Sequence, residues 1–164
     1  MRRLIVPSFA VALAATLAAC SSTSTTVVAP NATPLTTELR SALELALLDE
    51  RHAEAIYVQV LTDHGDITPF RNIVNAERQH AAAIEQLFRN RGLAVPTITP
   101  DPAAVPRFAA VSSACAAAAD AEVANVELYD RYLGWTLPAD VRTVFTNNRR
   151  ASVENHLPAF TRCR

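Results

Sequence analysis

The sequence predicts an all-α protein, an antiparallel four-helix bundle with one long crossover between its second and third helices. Three observations carry this expectation. Only three glycines occur in 164 residues of which 50% are hydrophobic, so the frequent turn signals of a sandwich or barrel are missing. Apolar residues recur at alternating three- and four-residue steps in four separate stretches, the period of a helix with one buried face. The connections between those stretches run short, long, short, which is the pattern of a bundle with a single crossover.

The first helix is expected from about Glu38 to Thr62, with Leu39, Leu43, Ala46, Glu50, Ala53, Tyr57 and Val60 on its inner face. Thr36 or Thr37 caps its start, and His64-Gly65-Asp66 stops it. Thr68-Pro69 reads as the N-cap and first position of the second helix, whose stripe is Phe70, Ile73, Glu77, His80, Ile84 and Leu87, ending before Gly92. Pro96, Pro100, Pro102 and Pro106 keep the stretch from Gly92 to Arg107 non-helical. At about 3.3 Å per extended residue that link reaches roughly 50 Å, enough to travel back along a neighbouring helix. The third helix is expected from Phe108 to Leu133 on the stripe Cys115, Ala118, Glu122, Val126, Tyr129 and Leu133. The fourth, after the break from Gly134 to Pro138, carries Val141, Phe145, Asn148, Ser152, His156 and Phe160.

A formal charge of −1 and the lack of a basic cluster exclude a nucleic-acid footprint. Beyond the N-terminus no stretch is apolar enough to span a bilayer. The N-terminus reads as an export signal, with cationic Met1-Arg2-Arg3 followed by an apolar run from Leu4 to Ala19. Its end, Leu17-Ala18-Ala19-Cys20, resembles the bacterial lipobox. That resemblance implies cleavage before a lipid-modified Cys20, with the membrane as partner and the bacterial cell envelope as location. Residues 1–19 are then a signal peptide, 20–37 a lipidated cysteine with a Ser/Thr/Pro-rich tether, and 38–164 the folded domain.

The ionisable residues sit on the unexpected face. Glu50, Glu77, His80 and Glu122 occupy inner-stripe positions among Leu, Ile, Ala, Val and Tyr. Buried carboxylates are too costly to persist uncompensated. Protonation, pairing with arginine or a hydrogen-bond donor, and a shared cation are the three available compensations. Glu77-x-x-His80 sets a carboxylate and an imidazole one turn apart on one face, which suits two ligands of one metal and equally a core pair bonded to Arg78 or a tyrosine hydroxyl. Glu127 rivals Glu122, but its helical neighbours Val123, Asp130, Arg131 and Gly134 form a mainly solvated face. His52 and His64 are expected at the surface, and Tyr57 and Tyr129 in the core with their hydroxyls satisfied.

Taken together, Glu50-Arg-His-Ala53-Glu-Ala-Ile-Tyr57, Glu77-Arg-Gln-His80, Glu122 and His156 resemble the ferritin-like superfamily, nearest in pattern to the rubrerythrin type and to a ferritin-like family of unknown function. The resemblance runs over about residues 38–163. It implies a bundle that holds iron or manganese between its helices through Glu50, Glu77, His80, Glu122 and His156, in a superfamily that stores iron or performs oxygen and peroxide chemistry. One departure stands out. The superfamily pattern has a glutamate three residues before the fourth-helix histidine, and that position is Val153. Glu154 next to it faces away on a straight helix, although Pro158 removes the amide that would bond its carbonyl and so invites a local bulge.

The expected function is therefore a lipid-anchored envelope protein binding iron or manganese, with oxidase or peroxide-scavenging chemistry. The alternative is a metal-free envelope scaffold or partner-binding module with a degenerate site. A homodimer stays open. The remaining cysteines are expected to meet, because Cys115 begins the third helix, Cys163 ends the fourth, and a tight turn makes these two helices antiparallel. Export to an oxidising compartment permits a bridge between them.

Overall fold

The computed structural model describes residues 32–163. The expected signal segment, Cys20 and most of the tether lie outside the described residues. Among the described residues all regular structure is helical, in the order α1 (Thr37–His64), α2 (Phe70–Arg89), a short 3-10 turn (Pro102–Ala104), α3 (Val111–Leu133), α4 (Ala139–Ala151), a π turn (Ser152–His156) and α5 (Leu157–Cys163). The last three run on as one fourth rod. None of the described helices is long and apolar enough to cross a membrane.

Local chemistry sets most of the boundaries. Thr36 caps α1 by accepting the Leu39 amide at 3.2 Å, which relieves one of the unpaired donors of the first turn. Gly65 ends α1 at φ 85°, returning its amide to the Leu61 carbonyl at 3.0 Å; only glycine takes that conformation without strain. Two expected starts shift. Thr68 does not cap α2, which begins at Phe70 after Pro69 with no side-chain cap, while the Ile67 carbonyl accepts the Arg71 amide at 3.0 Å. Helix α3 begins at Val111 rather than Phe108, because Ala110 is extended and the Phe108 carbonyl bonds His64 Nε2 at 2.9 Å instead of entering a helical ladder.

The crossover sets the topology. Arg91, just past the end of α2, pairs with Asp140 at the start of α4 at 2.9 Å and reaches the Thr33 carbonyl before α1 at 2.7 Å. At the opposite end His64 meets Phe108. The chain from 92 to 110 therefore travels the full length of the bundle, and α1 packs antiparallel to both α2 and α3.

The core divides into two apolar clusters. One joins Leu43, Leu47, Ile84, Phe88, Tyr129, Val141 and Phe145; the other joins Tyr57, Val60, Phe70, Val74, Cys115, Ala119 and Phe160. Phe70, Phe88, Phe145 and Phe160 are fully buried, each contributing about 1.5–3 kcal/mol by leaving water. In the second cluster the rings of Tyr57, Phe70 and Phe160 interlock with centroids 5.0–5.5 Å apart. Between the clusters lies a layer of buried polar side chains.

Cys115 and Cys163 lie at disulfide distance, with Cα atoms 5.7 Å apart, at the end of the bundle where α3 starts and α5 finishes. Mass analysis of the protein isolated without reductant is expected to show two hydrogens fewer than the dithiol form. Replacing Cys163 by serine removes a cross-link spanning 48 residues and is expected to cost about 4 kcal/mol in the chain-entropy account, read from denaturant melts.

Candidate metal centre

The polar layer holds all five residues singled out in the sequence. Glu50 comes from α1, Glu77 and His80 from α2, Glu122 from α3 and His156 from the π turn. Glu50 is 1% exposed, and Glu77, Glu122 and His156 are each 3% exposed. His80 Nδ1 lies 3.2 Å from Glu50 Oε2 and 3.1 Å from Glu77 Oε2. His156 Nδ1 lies 3.1 Å from Glu77 Oε1 and 3.4 Å from Glu122 Oε1. The two imidazoles stack with centroids 5.5 Å apart.

Two overlapping triads result. One donor atom each from Glu50, Glu77 and His80 fall within 4.8 Å of one another, and so do donor atoms from Glu77, Glu122 and His156. Ligands about 2.1 Å from a common cation stand roughly 3–4.2 Å apart, so both triads lie near the span of a coordination sphere. Glu77 belongs to both, with Oε2 turned to one histidine and Oε1 to the other, as a carboxylate bridging two cations is.

Hydrogen bonding leaves this layer incomplete. Glu77 Oε1 and His156 Nδ1 are buried without a hydrogen-bond partner, even though they stand 3.1 Å apart. They stand at ion-pair distance but outside hydrogen-bond geometry. A buried polar atom without a partner is destabilising by about 1–3 kcal/mol. A cation held among Glu77, Glu122 and His156 would satisfy both atoms at once. Arginine does not take that part. Arg78 goes to Glu54 at 2.7 Å and Arg51 to Glu54 and Glu85 at 2.8 and 2.5 Å, all on the outside.

The terminal carboxylates are held by tyrosines from the opposite helix. Tyr57 on α1 donates to Glu122 Oε1 at 2.9 Å, and Tyr129 on α3 donates to Glu50 Oε1 at 2.5 Å. Glu50 and Tyr57 are seven residues apart, as are Glu122 and Tyr129. Seven residues are nearly two turns, so each helix shows a carboxylate and a phenol on one face. That repeated spacing was the sequence signal for a reciprocal pair.

Three further polar residues complete the layer and were not singled out. Asn148 Nδ2 donates to Tyr129 Oη at 3.0 Å, Asn125 Nδ2 to Asp49 Oδ2 at 2.7 Å, and Ser152 Oγ to Asn125 Oδ1 at 2.8 Å. Asn125 is buried where the expected stripe had Val126, which is only half-buried. A polar residue won the inner face because its amide has partners there on α1 and the π turn.

The π turn corrects the reading of the missing ligand. The bulge invited by Pro158 does form, with the Leu157 amide bonding the Ser152 carbonyl five residues back. It leaves Glu154 in solvent, and Val153 is also exposed, at 37%. The wider turn puts Ser152 and His156, four residues apart, on the inner face together, so a hydroxyl and not a carboxylate accompanies His156 there. Of the other candidates, Glu127 is exposed as expected, whereas His52 and His64, expected at the surface, are half-buried, His64 on the Phe108 carbonyl.

Electrostatics follow from burial and proximity. Burial raises the Glu50 carboxyl above its ordinary value. Burial pushes the same way on Glu77, but the imidazoles of His156 and His80 outweigh it and hold that carboxyl below the usual range. Burial disfavours both imidazolium ions, yet the adjacent carboxylates prevail and push His80 up to about 9 and His156 up to about 10. Burial and the neighbouring carboxylates lift both tyrosines well above their ordinary value, which keeps their hydroxyls as donors.

The chain matches no protein-family model and no curated protein. It does superpose on the crystal structure of hypothetical protein MJ0754 from Methanococcus jannaschii DSM 2661, with a TM-score of 0.68 over 79% of this chain and 81% of that one, at 19% sequence identity. That likeness shows a shared helical fold.

A pH dependence follows for the metal-free protein. The folded values of about 9 and about 10 stand above the ordinary 6.5 of histidine. The stabilisation from His80 and His156 is therefore complete below about pH 6.5 and lost as pH rises through those folded values. Thermal melts of chelator-treated protein are expected to fall between pH 7 and 10, and the fall is expected to shrink in a His80→Gln, His156→Gln double variant. An equal fall in both proteins contradicts the assignment.

Proposed function

We propose that this is a ferritin-like protein that binds two divalent iron or manganese ions in its polar layer, one held by Glu50, Glu77 and His80 and one by Glu77, Glu122 and His156. The single observation that carries the reading is the pair of overlapping donor triads that share Glu77, with Glu77 Oε1 and His156 Nδ1 buried at their junction outside hydrogen-bond geometry. Carboxylate and imidazole donors without a thiolate suit iron and manganese better than softer metals. Such ions supply a redox couple for oxidase or peroxide-scavenging chemistry. The protein's own part is to hold the donors in place. Tyr57 and Tyr129 fix Glu122 and Glu50 by hydrogen bonds, and the two apolar clusters flank the layer above and below. Uptake of cations displaces the protons on His80 and His156, so affinity rises with pH.

The same reading keeps the lipid anchor expected at Cys20, which places the bundle on an envelope membrane at the end of its tether. Cysteines at disulfide distance support an oxidising compartment. The rival reading, a metal-free scaffold, draws on the imidazolium and carboxylate pairs that neutralise the layer without a cation. It leaves Glu77 Oε1 and His156 Nδ1 as an ion pair outside hydrogen-bond geometry.

Metal analysis after anaerobic loading with Fe(II) or Mn(II) and desalting decides between them. The full-length protein is expected to retain close to two equivalents, since there are two triads, and Glu77→Ala is expected to lose most of both because Glu77 is shared. Ser152→Asp, which returns a carboxylate to the inner face, is expected to tighten retention. A wild-type protein that retains none supports the scaffold.

A further inference from the structure

Two cavities meet on the flank of the bundle between α1, α3 and the crossover. The inner one, of about 100 Å³, is walled by Ala53, Ile56, Ala118 and Ala121 and ends at Glu77 and Glu122. The outer one, of about 430 Å³, is a groove beneath Pro100, Asp101 and Ala104 of the crossover. Asp49 and His52, one turn apart on one flank of α1, line both. Both are half-buried, so each side chain is within reach of solvent and of the interior. Asp49 is fixed there by Asn125 Nδ2 at 2.7 Å. The inner cavity is also lined by Glu77, whose buried Oε1 makes no hydrogen bond.

We propose that Asp49 and His52 form a transit site for a hydrated divalent cation, which passes from the outer groove through the inner cavity to Glu122 and Glu77. The proposal rests on the metal reading of the centre and adds its route. The walls of the inner cavity are alanine and isoleucine, which offer a cation nothing in exchange for lost water. Oxygen and nitrogen donors occur among its lining residues, the half-buried Asp49 and His52 shared with the groove and the buried Glu122 and Glu77 on the inner side. A carboxylate and an imidazole one turn apart replace part of the hydration shell at the threshold. Asp101 on the far wall of the groove adds a negative charge along the same approach. Asp49 is a positioning residue for uptake and does not belong to either triad.

The test is the rate at which Co(II), used alone as probe, enters the metal-free full-length protein, followed anaerobically by its visible absorption in a stopped-flow instrument. Asp49→Asn is expected to slow uptake about tenfold at low ionic strength, as loss of a steering charge does, with the final absorbance unchanged. Ala121→Leu, at an exposed position on the cavity wall, is expected to slow uptake without altering charge. Glu127→Gln on the exposed side of α3 removes the same charge elsewhere and is expected to leave the rate unchanged. Equal rates in wild type, Asp49→Asn and Ala121→Leu overturn the route while leaving the metal centre standing. A lower final absorbance in Asp49→Asn makes that residue a ligand and also overturns the route. No Co(II) signal in the wild type overturns the metal reading and the route with it.

Discussion

Moving a carboxylate from water into a protein interior is destabilising by several kcal/mol even after relaxation, and this bundle does so three times in one layer, at Glu50, Glu77 and Glu122. Everything around the layer answers that constraint. Each helix contributes either an acid or a base, so that no carboxylate lacks an imidazole or phenol within hydrogen-bonding range. The apolar clusters close the layer off on both sides, which strengthens every interaction inside it. The arginines, which outnumber any other basic type, neutralise acids on the exterior and leave the interior charge to the histidines.

The arrangement is nearly two-fold. The α1–α2 hairpin supplies Glu50, Tyr57, Glu77 and His80, and the second hairpin supplies Glu122, Tyr129, Ser152 and His156 in corresponding places. The symmetry fails at Ser152, where the second half has a hydroxyl in place of a carboxylate. That single exchange leaves Glu77 as the only carboxylate shared by both triads, and it brings Asn125 and Asp49 into the layer through the hydrogen bond from Ser152.

Much of this was legible in the sequence for identifiable reasons. Helix periodicity exposed Glu50, Glu77, His80, Glu122 and His156 because acids and imidazoles on an apolar stripe are conspicuous, and the four-proline link fixed the crossover. The remainder depended on contacts between distant segments. Phe108 stayed out of α3 because its carbonyl serves His64, and Asn125 displaced Val126 because its amide has partners on two other elements. The π turn moved the inner register by one residue, from Val153 to Ser152. A straight-helix count could not place that shift, although Pro158 announced that the helix would be disturbed near it.

The central claim is that the buried acids and histidines are arranged around two cations joined by one carboxylate. Anomalous diffraction from crystals grown or soaked with Mn(II) tests it most directly. The account predicts two anomalous peaks flanking Glu77, one within bonding distance of Glu50 and His80 and the other of Glu122 and His156. A layer without anomalous signal, with His80 and His156 hydrogen-bonded to the same carboxylates at full occupancy of the crystal's other manganese sites, would contradict it.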